Sequence, residues 1–329
     1  MSLMKAMILA AGYGERLWPL TADRTKPALP VLGKPLVGYV AEYLAGFGIK
    51  KVVVNLHHHP DSVRRSLGDG HQFGVALEYV HEPVILGTSG ALDNARALLE
   101  DDTFVVVNGK LITDLDLNAA LREHRARKAL ATLVLRRNEK FERFSFVEVK
   151  DGLVTRFGGM PSLDSWKSND PPLMFSGIHL IEPRIFDYIP EGVFSDSIVD
   201  VYPQAIAKGE IILGHVAEGM WYELSTLQRY LDISLALLRP AGRDVFAGQN
   251  SSIDEQANVR DSILWDHVTI EPGASVRRSV LGDGVRIRSG EAVEDAVIVR
   301  ADIVAGRKVP AKALKGAVKG DNFVVCLSQ

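Results

Sequence analysis

Two glycines and two cations stand close together near the start of the chain, in a pattern suited to binding a polyphosphate. The segment Leu9-Ala10-Ala11-Gly12-Tyr13-Gly14 is followed by Arg16 and Lys26. Glycines permit a tight backbone turn, so that several amide groups can point at one anion. Arg16 and Lys26 would add positive charge behind those amides. The pattern therefore predicts a polyphosphate-binding loop whose main-chain donors are the amides of residues 11–14.

The same residues exclude two common phosphate loops and indicate a third. No G-x-x-x-x-G-K-S/T string occurs in the chain, so the loop is not a Walker loop. A dinucleotide fingerprint needs a third glycine three positions after the second, where this chain has Leu17. With Arg16, Pro19-Leu20-Thr21 and Lys26-Pro27, the string resembles the signature G-x-G-x-R-(x)-x-P-L-T…K-P of the sugar-1-phosphate nucleotidyltransferases.

Further motifs extend this resemblance over nearly the whole chain. Glu82-Pro83 and Leu86-Gly87-Thr88-Ser89-Gly90 are similar to the family segment that frames the nucleobase. Phe175-Ser176-Gly177-Ile178 resembles the strand whose glycine lets the sugar approach the backbone. The chain is most similar to bacterial mannose-1-phosphate guanylyltransferases, and uridylyl- and thymidylyltransferases of the same fold are the alternatives.

The resemblance implies an activity and a set of site residues. The activity is transfer of a nucleotidyl group from a nucleoside triphosphate to a sugar 1-phosphate, which yields a nucleotide sugar and pyrophosphate. The catalytic residues implied are Arg16, for the leaving pyrophosphate, and Lys26, for the α-phosphate. The nucleotide-binding residues implied are Leu9, Ala10, Ala11, Gly12, Gly14, Glu82, Gly87 and Thr88, and the sugar-binding residues are Asn108, Gly109 and Gly177. The family also implies Mg²⁺, held by two aspartates on different strands.

The chain departs from the family pattern at the metal and sugar-phosphate positions. Lys110 stands where the first metal aspartate is expected, and Glu223 replaces the second, so that only Glu223 remains as a candidate metal ligand. Gly159 and Met160 replace the acid and the lysine of the sugar-phosphate motif. Two interpretations follow. The chain is a working transferase in which the Lys110 ammonium supplies part of the missing charge. Alternatively, it is a catalytically impaired homologue that binds nucleotide or nucleotide sugar as a regulatory or structural subunit, beside an active paralogue.

The elements that must position these residues alternate between apolar strands and helices from residue 4 to about 235. The pattern predicts strands at 6–11, 51–55, 77–80, 104–107 and 131–135, and helices at 35–48, 60–67, 89–99 and 117–128. This alternation predicts an α/β fold with a Rossmann-like mixed, mainly parallel sheet. Ligands of such sheets bind at the carboxyl ends of the strands, where the glycine loop leaves the first strand.

A 17-residue repeat replaces this alternation after Gly242. Apolar residues recur at that spacing in four series, which are Ile253, Ile270, Ile287 and Val304; Val259, Val276 and Val293; Ile263, Val280 and Val297; and Leu264, Leu281 and Ile298. The repeat predicts a parallel β-helix of three to four coils over residues 246 to about 306. The family resemblance implies that it is left-handed. The predicted domains are a nucleotidyltransferase domain, 1–238, and a β-helix domain with a C-terminal tail, 239–329.

Composition and net charge argue against some classes of binding partner. The chain has 329 residues, a net charge of −3 and no basic excess, which argues against binding to nucleic acid or to a membrane surface. No apolar stretch approaches the roughly 20 residues that span a bilayer. The single cysteine, Cys326, is typical of the reducing cytoplasm. The open ends and strand edges of a short β-helix predict a homo-oligomer.

Overall fold

The computed structural model describes residues 4–162, 166, 168 and 170–328. Its strands are β1 Lys5–Leu9, β2 Pro30–Val31, β3 Lys34–Pro35, β4 Lys51–Leu56, β5 Ala76–His81, β6 Phe104–Asn108, β7 Leu111–Thr113, β8 Ala131–Arg137, β9 Val147–Lys150, β10 Leu153–Phe157, β11 Leu173–Ile181, β12 Ile212–Val216, β13 Trp221–Glu223, β14 Val245–Ala247, β15 Ser252–Ile253, β16 Asn258–Arg260, β17 Ser262–Leu264, β18 Thr269–Ile270, β19 Ser275–Arg277, β20 Val280–Leu281, β21 Arg286–Ile287, β22 Ala292–Glu294, β23 Ala296–Arg300, β24 Gly316–Lys319 and β25 Asn322–Cys326.

The α-helices up to residue 126 overlap the predicted ranges, and those after residue 200 were not predicted. They are α1 Leu36–Gly46, α2 Pro60–Leu67, α3 Gly87–Asn94, α4 Arg96–Leu99, α5 Leu117–Ala126, α6 Tyr202–Ala207, α7 Leu227–Leu238 and α8 Ala301–Val304, with short 3-10 helices at Glu15–Leu17, Lys26–Ala28, His71–Phe73, Pro183–Tyr188 and Arg239–Ala241 and a π-helix at Ser197–Val201. The single helix predicted over 89–99 is wrong in one respect, because Ala95 leaves the helical conformation (φ −105°, ψ 8°) and separates α3 from α4. Within the described ranges, none of these helices has the length and apolarity needed to cross a membrane.

A mixed sheet forms the centre of the first compact unit, which comprises the chain up to Gly12 together with 37–58 and 67–221. Its strand order is β5-β4-β1-β6-β11-β8-β12-β10-β9. All of these strands run in one direction except β11 and β10, so the predicted mixed, mainly parallel sheet is confirmed. Residues 6–8 of β1 and 104–107 of β6 are fully buried, which explains why these strands read as continuous apolar runs.

The buried histidine of β11 predicts a pH dependence of the free energy of unfolding. His179 is 3% exposed, and its Nδ1 lies 2.5 Å from the Tyr202 hydroxyl oxygen. Burial lowers the pKa of His179 to about 3, from an ordinary value near 6.5. Below about pH 6.5 the unfolded chain therefore binds a proton at His179, whereas the folded chain does not. As a result, the free energy of unfolding falls as the pH drops.

We expect a His179→Asn variant to lose this pH dependence. Between about pH 6 and pH 5 the wild-type free energy of unfolding should decline by up to about 1.4 kcal/mol more than that of the variant, since one proton is bound only on unfolding. Urea unfolding of both proteins at about pH 5, 6 and 7 measures the difference. Parallel pH profiles would show that His179 does not titrate in this way.

A parallel β-helix lies in the second compact unit, which comprises 13–36, 59–66 and the chain from Tyr222 onward. Its three faces are the sheets β15-β18-β21, β16-β19-β22 and β14-β17-β20-β23, the last of which continues into β25 and β24. Ile253 pairs with Ile270, Val259 with Val276 and Leu264 with Leu281, so each coil is offset from the next by the predicted repeat. The short parallel β-helix predicted from that repeat is confirmed.

The 17-residue repeat ends before Val304, the last residue of its first apolar series. Val304 does not form a strand in a fourth coil but ends the short helix α8. The chain leaves the coils after Arg300 and returns as β25, which runs antiparallel to β23 and carries β24 on its other side. The prediction of a repeat position at Val304 was therefore wrong, because the chain forms α8 there instead of adding a strand to the face β15-β18-β21.

Candidate functional site

The carboxyl ends of β1 and β6 lie side by side and bring three predicted residues together. Leu9 is the register partner of Asn108, and the Gly109 amide donates to the Leu9 carbonyl oxygen at 2.9 Å. A Cβ on Gly109 would lie only 2.9 Å from that oxygen, so a side chain there would push the strands apart. Glycine at this position lets the end of β6 approach the point at which the glycine-rich segment begins.

Gly177 completes this edge from the neighbouring strand β11. It adopts φ +86°, and a Cβ there would lie 2.4 Å from Asn108 Nδ2. The register of β11 shifts at this point, and the Trp221 indole donates to the Ser176 carbonyl oxygen at 2.9 Å. The predicted sugar-binding residues Asn108, Gly109 and Gly177 are thus neighbours in the structure.

Asn55, at the carboxyl end of β4, holds the start of the glycine-rich segment. Its Oδ1 accepts from the Ala10 amide at 2.7 Å, and its Nδ2 donates to Glu82 Oε1 at 2.6 Å. Glu82 is fully buried, and its other carboxylate oxygen accepts from the Leu86 amide at 3.2 Å. The Ala10 amide and the Glu82 carboxylate are therefore engaged within the protein, where they orient the segments on either side of β4.

Gly87 and Thr88 join the start of α3 to residues 195–197. The Thr88 hydroxyl donates to Asp196 Oδ2 at 3.0 Å and accepts from the Ser197 amide at 2.7 Å. Gly87 has φ +79°, and a Cβ there would lie 2.4 Å from the Ser195 carbonyl oxygen. These contacts fix the path of the segment that the sequence assigns to the nucleobase.

We expect Gly87→Ala to lower the free energy of unfolding by about 2 kcal/mol or more, because the added Cβ meets backbone and the residue must keep a left-handed φ. Gly46→Ala is the matched control, since Gly46 ends α1 and a Cβ there meets nothing within 4 Å. The control should be neutral or stabilising by up to about 1 kcal/mol. Urea unfolding measures both, and equal small effects would contradict the expected clash at Gly87.

Within the second compact unit, Gly14 turns the chain beside Lys26. It has φ +69°, and a Cβ there would lie 2.8 Å from Lys26 Cβ. Gly14 also starts the 3-10 helix Glu15–Leu17, which carries the exposed Arg16. The residues around this turn line a cavity of about 240 Å³, namely Tyr13, Gly14, Glu15, Arg16, Lys26, Ser225 and Lys312. The predicted catalytic pair, Arg16 and Lys26, therefore shares one cavity whose charge suits an anion.

The residues that depart from the family pattern do not fit a protein-held magnesium ion. Mg²⁺ requires oxygen ligands in near-octahedral geometry. Lys110 directly follows Gly109 at the carboxyl end of β6, and Glu223 is a buried residue of β13. In the described part of the chain, no group of three or more His, Cys, Asp or Glu side chains is arranged to hold a metal. Lys110 and Glu223 stand at the two positions where the resemblance implies aspartates, and we assign no step to magnesium.

The other two departures lie beyond the end of β10. Gly159 is exposed and a Cβ there would meet nothing within 4 Å, whereas Met160 is 61% exposed. The Phe146 amide donates to the Gly159 carbonyl oxygen at 3.2 Å. Gly159 has no side chain and that of Met160 is uncharged, so neither residue can pair with the charge of a sugar phosphate.

Sequence reasoning missed two of the residues that shape the site. Asn55 ends an apolar strand in a way that resembles any strand terminus, and its partners are 45 and 27 residues away. Trp221 was not among the predicted site residues, although its indole fixes the register shift next to Gly177. A polar residue at the carboxyl end of a buried parallel strand was the available signal for Asn55.

Known proteins of related sequence act on sugar phosphates according to their names. A UTP–glucose-1-phosphate uridylyltransferase of Synechocystis is 30% identical over 286 residues, covering 80% of this chain and 71% of the relative. A mannose-1-phosphate guanylyltransferase of Mycobacterium tuberculosis is 31% identical, covering 71% and 64%. An N-acetylmuramate α-1-phosphate uridylyltransferase of Neisseria meningitidis is 34% identical, covering 69% and 95%.

Solved structures and the family model agree with these relatives. A Bacillus anthracis protein assigned as a glucose-1-phosphate thymidylyltransferase, crystallised with sucrose, superposes with a TM-score of 0.62 at 25% identity, covering 72% of this chain and 95% of its own. HddC from Yersinia pseudotuberculosis, complexed with GMP-PN, gives 0.60 at 20% identity, covering 71% and 99%, and so shows the fold alone. The family model described as nucleotidyl transferase matches residues 5–239. The chain therefore belongs to the nucleotidyl transferase family.

Proposed function

We propose that this chain transfers a nucleotidyl group from a nucleoside triphosphate to a sugar 1-phosphate and releases pyrophosphate. The observation that carries the proposal is the cavity beside Gly14, which places Arg16 and Lys26 together in a member of the nucleotidyl transferase family. The relatives compared above carry transferase names, which supports the catalytic interpretation over a regulatory one.

The proposed reaction is an in-line displacement at phosphorus. A phosphate oxygen of the sugar 1-phosphate attacks the α-phosphorus, the bond from this phosphorus to the bridging oxygen breaks, and pyrophosphate leaves. Catalysis of this kind depends on positioning and on neutralising charge. Arg16 would bind the leaving pyrophosphate, since a guanidinium can hold two phosphate oxygens at once, and Lys26 would bind the α-phosphate.

Residues of the first compact unit have proposed roles of their own. The amides of Ala11 and Gly12 bind nucleotide, whereas Ala10 is held by Asn55 and serves to orient them. The sugar approaches the backbone at the edge formed by Asn108, Gly109 and Gly177, where glycines leave room. Lys110 adjoins this edge, and we assign its ammonium part of the phosphate charge that a metal ion would otherwise neutralise. Glu82, Gly87 and Thr88 position the segments that frame the base.

A pyrophosphate-release assay tests the proposed activity. The panel combines GTP, UTP and dTTP with the 1-phosphates of mannose, glucose and N-acetylmuramate. We expect release that requires both substrates and that is strongest for one pair. A protein that binds a triphosphate but releases no pyrophosphate with any pair would contradict the proposal and favour the regulatory alternative.

We further propose that the protein works in the cytoplasm as a homo-oligomer, with residues 1–238 carrying the transfer chemistry and 239–329 the β-helix and tail. Strand β24 supports the assembly, because it lies at the edge of its sheet and is exposed along its length. Such an edge presents unpaired backbone groups to other chains. Light scattering at tens of micromolar should give at least the mass of a dimer, and a monomer there would refute the assembly.

A further inference from the structure

The chain that follows the β-helix lies against the residues that follow the glycine turn. We call residues 305–315 the C-terminal strap. The Arg307 guanidinium donates to the Ala22 carbonyl oxygen. Trp18 and the strap residue Val309 line an apolar cavity of about 400 Å³. Lys312 Nζ lies 4.0 Å from Glu15 Oε2. One hydrogen bond and one ion pair within the second compact unit thus join the strap to residues 15–22, and the two segments share the lining of one cavity.

The C-terminal strap also reaches the cavity that Arg16 and Lys26 line. The Ala313 amide donates to the Pro310 carbonyl oxygen at 3.1 Å, and this turn presents Lys312. Lys312 lines the same cavity as Arg16 and Lys26. Its side chain is 73% exposed, so water and salt screen its ion pair with Glu15 and leave that pair weak. A ligand with stronger negative charge can therefore draw the ammonium away from Glu15.

We propose that Lys312 is a third cation of the polyphosphate site, so that the C-terminal strap takes part in binding the triphosphate. The proposal rests on the proposed function and adds to it a residue from the far end of the chain. Glu15, the partner of Lys312, adjoins Arg16, which places the ammonium at the pyrophosphate end of the substrate. Lys312 therefore exchanges Glu15 for a phosphate oxygen when a triphosphate or pyrophosphate binds. A nucleoside monophosphate, which lacks that end, does not use it.

Calorimetry with GTP, UTP, pyrophosphate and GMP tests this assignment on the full chain. Lys312→Ala should weaken triphosphate and pyrophosphate binding about tenfold, the loss expected for one charge-assisted contact, and GMP binding less than twofold. Lys312→Arg should retain most of the affinity. Lys315→Ala is the matched control, because Lys315 belongs to the same strap but does not line the cavity. Its affinities should equal those of the wild type.

Arg16→Ala separates this inference from the proposed function. If Arg16→Ala weakens triphosphate binding while Lys312→Ala behaves like Lys315→Ala, Lys312 is not part of the site and the proposed function stands. If Lys312→Ala weakens GMP as much as GTP, its effect is structural and the inference is also overturned. If Arg16→Ala leaves triphosphate affinity unchanged, the loop assignment fails and the proposed function fails with it. Thermal unfolding of each variant verifies that the fold is retained.

Discussion

Replacing Arg16 with alanine should lower kcat/KM for nucleotidyl transfer by roughly a hundred- to a thousandfold, or about 3–4 kcal/mol of transition-state stabilisation. Arg16 is exposed on a short 3-10 helix that lines the cavity beside Gly14. Negative charge builds up on the leaving pyrophosphate as its bond breaks, so a guanidinium there acts mainly in the transition state. The loss should therefore fall on kcat as well as on the KM for the triphosphate.

The fold should be unaffected by this change, because the exposed side chain packs into no core. Arg122→Ala is the matched control, since Arg122 is an exposed arginine of α5 and does not line the cavity. Steady-state kinetics and thermal unfolding of both variants separate activity from stability. An Arg16→Ala enzyme with wild-type kcat/KM and triphosphate affinity would show that the glycine turn is not the phosphate site.

The β-helix could be predicted from the sequence because each 17-residue repeat forms one coil of the structure. Residues such as Ile263, Val280 and Val297 stack directly on one another, so the apolar series and the strand pairing are the same pattern. The corners were harder to predict. Asp261, Arg278 and Asp295 share the repeat and adopt φ between 46° and 47°, yet their polar side chains carry no apolar signal.

The candidate site was predictable where backbone geometry demands one residue type. At Gly109 and Gly177 a Cβ would meet another strand. These positions therefore require glycine, which can be recognised in the sequence. Asn55 gave only the general signal of a polar residue at the end of a buried strand, and Lys312 gave none. Asn55 acts through hydrogen bonds to two other strand ends, and Lys312 reaches its cavity only because the strap folds back along residues 15–22. Contacts between distant segments depend on the assembled fold, which no local pattern contains.

The second large effect concerns magnesium. Wild-type affinity for a nucleoside triphosphate should change little on adding excess Mg²⁺, because Lys110 occupies the position at which the family resemblance expects a metal aspartate. The double change Lys110→Asp with Glu223→Asp replaces an ammonium by a carboxylate at the end of β6. Without metal, triphosphate affinity should then fall roughly a hundredfold, since one charge-assisted contact is lost and one repulsive charge is gained. Excess Mg²⁺ should restore much of it.

Calorimetry of both proteins with and without excess Mg²⁺ measures this exchange of a lysine for a metal ion. Lys110→Asn with Glu223→Gln is the control, because it removes the ammonium without creating carboxylate ligands and should stay weak whether or not Mg²⁺ is present. Turnover of the aspartate double variant should recover only in part, since Gly159 and Met160 still offer no charge to the sugar phosphate. A large magnesium-dependent gain in wild-type affinity would show that other groups hold the metal and that Lys110 does not replace it.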